Sequence, residues 1–405
     1  MNKWLILFLL IIVSIIGCKQ IYQPPAIVAK NNFLVVEGII TGGHDSSFIK
    51  LSRSVNVSSK STGRPELNAI VDIEDDQNNI FPIAETSNGN YGYAGLNIDQ
   101  THRYRLRIKT SNGEQYLSDY VPVLNSPPID SITFDTNGSL TAGQGLDVYV
   151  NTHDQTNNTR YYRWEYQETW IFHSFYRSLF ASNGDTVTVR DQITQNITNC
   201  WSYDTSSNII IASSARLAKS IIQKGLITFV PSTSEKLESE YSILVRQYAL
   251  SADAYNYYSI LKKNTESLGS IFDPQPSTLT GNIHCINDPG KPAFGYITAG
   301  NVSSQRIFVN NNALPAWTAT YPYADCHLQF SWNPLHNDTC CLYNLHGLNQ
   351  VDYYINYNKS HNPNPFIPLT PFNPIGPPDG FFAATKECAD CTIRGTNKMP
   401  AFWKH

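Results

Sequence analysis

From Phe33 onward the chain is dominated by short stretches in which apolar and polar residues alternate, the period of a strand with one buried face. Phe33–Ile40, Ala69–Glu74 and Ile80–Ile83 read as strands, the last two joined by the polar turn Asp75–Asn79. Gly89–Tyr93 marks a further turn and strand. Tyr104, Leu106 and Ile108 share one face of a strand at Tyr104–Lys109, and Ser111-Asn112-Gly113 turns the chain into Gln115–Ser118. Strands this short, broken this often by Gly and Asn, predict a β-sandwich over residues 33–124.

Asn125-Ser126-Pro127-Pro128 is the boundary, because two prolines force an extended, non-helical connection. Beyond it Ile129–Phe134 opens a second, larger β-rich unit of mixed α+β type, expected to span residues 129–405. Tyr162, Trp164, Tyr166, Trp170 and Phe172 alternate with Arg163, Glu165, Gln167 and Thr169, which predicts a long strand with one aromatic face. That face is read as core rather than as a ligand platform. After the strand Tyr241–Leu250 the period changes: Ala254, Tyr258, Leu261, Thr265 and Leu268 fall at helical spacing, with Ser251 as N-cap and Gly269 as the stop. This is the one clear helix; a shorter one fits Ser214–Lys224. Strands follow at Thr280–Cys285, Ala293–Ala299 and Arg306–Val309. Residues 361–378 hold seven prolines, which predicts an exposed polyproline-like loop and argues against a central strand. The closing Phe402-Trp403 is expected to pack back on the body. The fold class is therefore mainly β, and the first unit's strand order looks like immunoglobulin-like or transthyretin-like modules.

The N-terminus follows a different pattern. Met1-Asn2-Lys3 is a basic head, and Trp4–Ile16 is apolar apart from Ser14. As a helix that run reaches only about 20 Å, against a bilayer core of roughly 30 Å, so it suits a signal peptide and not a span. Ile15-Ile16-Gly17-Cys18 resembles the lipobox of bacterial lipoproteins. Residues 1–17 are then a signal peptide, Cys18 is acylated, and residues 18–32, with Pro24-Pro25, form a tether. The covalent lipid on Cys18 makes the bilayer a partner, and no other cofactor is expected.

Charge and cysteines narrow the function. A net charge of −4 with no basic stripe argues against nucleic acid as a partner. Without Cys18, seven of the eight cysteines remain, in a compartment where disulfides persist. An odd number leaves at least one unpaired within the chain. Cys285, Cys326, Cys340, Cys341, Cys388 and Cys391 are the disulfide candidates, Cys388 and Cys391 above all. The alternative is a metal site on Cys326, His327, Cys388 and Cys391, with His336 and His346 nearby in sequence, because Cys-x-x-Cys supplies two ligands at zinc spacing. A thioredoxin-like role is disfavoured, since Cys388-x-x-Cys391 is not read as opening a helix after a strand. Glu74-Asp75-Asp76 lacks the spacing of a calcium loop and reads as a solvated turn. His-Glu-x-x-His, Gly-x-Ser-x-Gly and P-loop motifs do not occur.

Several stretches together carry a family resemblance. They are Leu34-Val35-Val36-Glu37-Gly38, Tyr116–Pro122, Cys200-Trp201, the run Tyr241–Ser251, Asn264–Asp273, Gly281–Cys285, and Cys388-x-x-Cys391 with Phe402-Trp403. On these residues the chain resembles the domain-of-unknown-function family 4249 of Bacteroidota envelope lipoproteins. The resemblance implies an outer-membrane lipoprotein, often encoded beside a TonB-dependent receptor, and carries no catalytic residues to transfer. Lys19-Gln20-Ile21 lacks the acidic residues that often follow the lipid cysteine in surface-exported relatives, so a periplasmic and a surface-exposed position both stay open. The expected function is a non-catalytic binding or accessory role in nutrient uptake. The alternatives are a metal-dependent envelope hydrolase using the C-terminal Cys/His cluster, or a structural or adhesive surface protein.

Overall fold

The computed structural model describes residues 32–42, 46–55, 63–136, 143–182, 187–266, 279–318, 323, 326–328, 367–371 and 381–403. The expected signal peptide, Cys18 and most of the expected tether lie outside these residues. The first unit contains β1 (Leu34–Thr41), β2 (Ser46–Arg53), β3 (Arg64–Pro65), β4 (Ile70–Asp75), β5 (Ile80–Ser87), β6 (Asn90–Ala94), β7 (Arg103–Lys109), β8 (Gln115–Ser118) and β9 (Val121–Asn125). The second contains β10 (Ile129–Asp135), β11 (Gly145–Asp154), β12 (Tyr161–His173), β13 (Phe180–Ser182), β14 (Val187–Val189), β15 (Asn199–Thr205), β16 (Ile210–Ser213), β17 (Ser220–Pro231) and β18 (Glu240–Leu250). Helix α1 (Ala252–Glu266), β19 (Ile283–Cys285), β20 (Thr298–Asn301), β21 (Ser303–Asn310), β22 (Ile367–Pro371), β23 (Phe381–Ala384) and the one-turn α2 (Lys386–Ala389) complete the order. The protein is mainly β, as its alternation predicts.

The first unit is a barrel, which corrects the expected sandwich. Strands run β7-β4-β5-β6-β2-β1-β20-β9, and β9 pairs back onto β7, closing a ring of eight. Inward residues Leu34, Val36, Ile49, Leu51, Val71, Ile73, Leu106 and Ile108 fill the interior. Closure depends on β20, which arrives from far downstream and lies parallel between β1 and β9. It fits because Gly300 has no side chain: a Cβ there would collide with the Leu124 carbonyl. Likewise β19 extends the sheet beside β8. A cut at residues 125–128 thus separates the units only in part, since residues 283–301 return to the first sheet.

A buried charge network ties this return to the barrel. Arg53 Nε lies 2.5 Å from Glu66, its Nη1 lies 3.0 Å from Glu114, and Lys291 pairs with the other Glu114 oxygen. The Tyr116 hydroxyl donates to Glu114 at 2.8 Å. Burial alone would raise the Glu114 pKa, but Lys291, Tyr116 and Arg53 outweigh it and hold the carboxyl down at about 2. The folded pKa is below the unfolded one, so the stabilisation is complete above about pH 4.5 and is lost as pH falls towards 2. It amounts to about 3 kcal/mol. Glu114→Gln should therefore lower the urea midpoint at pH 7 and flatten its decline between pH 4.5 and 2; an unchanged acid limb would show that other carboxylates dominate it.

In the second unit a three-stranded sheet, β10-β11-β17, packs on the sheet β15-β12-β18-β21, where β16 also pairs with β12. Tyr162, Trp164, Trp170 and Phe172 of β12 lie in the core between these sheets with Ile243 and Val245 of β18, so the aromatic face is core. Helix α1 starts where the period changes: Ser251 Oγ accepts from the Ala254 amide at 3.1 Å. Asp253 in its first turn and Lys263 in its last suit the helix dipole. The expected stop at Gly269 lies outside the described residues. Ser214–Lys224 is not helical but a turn leading into β17, whose Ile222 is drawn into the core against β11. Among the described residues no helix is long and apolar enough to cross a membrane.

The described part of the proline-rich segment also departs from expectation. Residues 367–371 are strand β22, paired with β23, and Leu369 is buried with Ala384, Cys388 and Ala389. Proline is tolerated here because the strand belongs to a two-stranded edge. Ser178 Oγ donates to the Pro368 carbonyl at 2.9 Å and fixes it further. The C-terminus packs back as expected: Trp403 is fully buried, edge-on to Trp201 and Phe308, with its Nε1 2.9 Å from Glu240.

Candidate functional site

The cysteine cluster resolves into two disulfides, Cys200–Cys391 and Cys326–Cys388. Cys200, absent from the candidates, is the partner that spacing could not reveal, since 191 residues separate it from Cys391. Cys285 carries a free, buried thiol in the barrel core, and Cys340 and Cys341 lie outside the described residues, as do His336 and His346. The proposed metal ligands do not converge: Cys326, Cys388 and Cys391 are oxidised, and His327 is exposed. Among the described residues no group of three or more His, Cys, Asp or Glu is placed to hold a metal. Contrary to expectation, Cys388 does sit in a helical turn directly after strand β23, but its sulfur faces Cys326 rather than Cys391. Of the acidic triplet, Glu74 and Asp75 close strand β4 as buried residues, and only the exposed Asp76 enters the turn, so it is not the solvated turn expected. Asp75 accepts from the Gln77 and Asn79 amides at 2.9 and 2.8 Å, and Glu74 is buried against Arg105 at 2.8 Å.

A large concavity lies elsewhere, between the units. It is a cleft of about 1090 Å³, bounded by the outer face of β1, helix α1, the outward face of β12 and β18, residues 206–210, and residues 294–296. Alternation explains its lining. In β1, Val36 points into the barrel while Val35, Glu37 and Ile39 face the cleft. In β12 and β18, Trp164 and Val245 enter the core, which turns Arg163, Glu165, Arg246 and Tyr248 outward. Tyr257, Tyr258 and Leu261 come from α1, and Phe48, about half exposed, adds an apolar rim.

Charges in the cleft are ordered. The Arg163 guanidinium sits between the rings of Tyr248 and Tyr258, 4.8 Å from each centroid, with Nη2 2.9 Å from Glu165 Oε1. Burial opposes this charge, but Tyr258, Glu165 and Tyr248 outweigh it and raise the Arg163 pKa. The Tyr248 hydroxyl donates to the other Glu165 oxygen at 2.8 Å; burial and that carboxylate push the phenol pKa up, so it stays protonated. Arg246 lies directly opposite Glu165 in the β12–β18 register. No catalytic residue was expected from the sequence, and the one signal for this cleft was the polar half of the β12 alternation.

The family model described as a domain of unknown function, DUF4249, matches residues 21–306. The chain belongs to this family. The matched span takes in the barrel, the second unit as far as β21 and every residue that lines the cleft. Three of the four disulfide cysteines, Cys326, Cys388 and Cys391, lie beyond it. No curated protein matches the chain.

Proposed function

We propose that the protein is a lipid-anchored outer-membrane lipoprotein with a non-catalytic binding role, accessory to a TonB-dependent receptor in nutrient uptake. The observation that carries the binding role is the interunit cleft: large, walled by tyrosines, and furnished with a few convergent polar groups, the usual constitution of a ligand site. Two disulfides accord with an oxidising compartment, and the lipobox at Cys18 supplies the anchor. Anchoring concentrates the cleft at the membrane, so a modest affinity for a receptor suffices for occupancy.

The test is co-purification of tagged, acylated protein from detergent-solubilised outer membranes. A stoichiometric membrane receptor in the eluate is the expected result. Recovery of the protein alone, together with turnover of an envelope substrate by the purified chain, would replace the accessory reading with an enzymatic one.

A further inference from the structure

The cleft's charges do not cancel locally, and this bears on what it binds. Three carboxylates line it, and each is engaged. Glu37 pairs with Lys50 at 3.3 Å, and Glu165 holds Arg163 and Tyr248. Glu266 lies 3.7 Å from Lys262 and accepts from the Ile209 amide at 2.6 Å. Arg246 has no hydrogen-bond or ion-pair partner among the described residues, although it is half-buried and faces Glu165 across the strand pair.

A second arginine, Arg306, lies beside Arg246 just outside the cleft lining. In the β18–β21 register Arg246 lies opposite Ser304 and Leu244 opposite Arg306, which puts Arg306 one diagonal step from Arg246. Arg306 donates to Ser242 Oγ at 3.0 Å and lies over the Phe402 ring at 3.6 Å, without an acidic partner among the described residues. Burial, then the Arg246 charge, bring the Arg306 pKa down to about 10. Two half-buried like charges destabilise each other in a medium of reduced dielectric, and a bound anion removes that penalty.

The geometry points to an organic anion as ligand, its charged group on Arg246 and its planar or ring-shaped body against Tyr258 and the apolar wall of Leu261, Ile39 and Phe48. This rests on the binding role proposed above and narrows its ligand class. Arginine supplies a fork of donors matched to a carboxylate, sulfonate or phosphate, and such charge-assisted bonds are about twice as strong as neutral ones. Tyrosines supply flat, rigid contact area at low entropic cost.

The experiment is a fluorescence titration of the full-length Cys18→Ser protein, free of detergent, with 8-anilinonaphthalene-1-sulfonate. The uncharged N-phenyl-1-naphthylamine serves as the matched probe. The wild-type cleft should bind the sulfonate at one site and at least tenfold more tightly than the neutral probe. Arg246→Gln should weaken the sulfonate at least tenfold, leave the neutral probe unaffected and leave the melting temperature unchanged or higher, since a like-charge contact with Arg306 is removed. Arg246→Lys should retain part of the affinity. Equal binding of the two probes, or equal sulfonate affinity in wild type and Arg246→Gln, would overturn the inference. A receptor that still co-purifies with Arg246→Gln leaves the accessory role standing whichever way the titration falls.

Discussion

Replacing Cys18 with Ser is expected to move the whole protein from the outer-membrane fraction to the soluble periplasmic or secreted fraction and to abolish labelling by a fatty-acid analogue. The physical basis is additive: each buried methylene contributes roughly 0.8 kcal/mol, so one acyl chain binds marginally whereas two or three bind firmly. Serine is nearly isosteric but offers no thiol for the thioether, so the change removes the anchor without touching any residue of the barrel or cleft. As the proposed tether, the fourteen residues from Lys19 to Asn32 would reach at most about 45 Å, enough for the folded units to meet a receptor in the same membrane. The readout is fractionation after carbonate extraction. Acyl labelling that persists in the variant, or a protein that stays in the membrane without it, would refute lipid anchorage at this residue.

The parts of the fold that depend on local periodicity were legible in the sequence. Alternation marked β1, the strands from β4 to β8 and the long β12, but not β2 or β3, and the change to helical spacing after Ser251 marked α1. Both are decided by neighbours two to four residues apart. Barrel closure is not, because a strand with one apolar face looks the same in a sandwich and in a closed ring. The ring depends on β20, whose Ala299 pairs with Val123 and Ile40, residues more than 170 positions upstream. Ser214–Lys224 misled for a related reason: its apolar pair Ile221 and Ile222 belongs to strand β17 and answers to β11, not to a helix face. The Pro-rich segment misled because prolines exclude a central strand but not an edge one, which β22 is. The cleft was half legible: β12 advertised outward Arg163 and Glu165, while Arg246 gained its meaning only when the register set it opposite Glu165.

Disulfide pairing was the least legible feature, and it supports the second large prediction. Cys200 opens onto the core from β15, fully buried, and Cys391 begins the turn after α2, also buried, so their bond fastens the chain's last residues to the main sheet. Around it the Cys391 amide donates to the Ile197 carbonyl at 2.8 Å, Trp201 and Thr396 exchange backbone bonds at 2.8 and 2.9 Å, and Arg394 meets Glu235 at 2.8 Å. Replacing both cysteines with alanine should cost about 2–5 kcal/mol, chiefly by releasing a constraint on the unfolded chain. At roughly 2–4 °C per kcal/mol for a unit of this size, the melting temperature should fall by about 10 °C, and reductant should lower the wild type towards the variant. Cys326→Ala with Cys388→Ala should have a smaller effect, since that bond closes 62 residues against 191 and Cys326 is only partly buried. Non-reducing peptide mapping should recover both bonded pairs and should alkylate Cys285 only after unfolding, as its thiol is buried in the barrel. A map that joins Cys388 to Cys391, or a Cys200/Cys391 double variant that melts with the wild type, would mean the C-terminus is held by packing of Trp403 and not by its covalent bond.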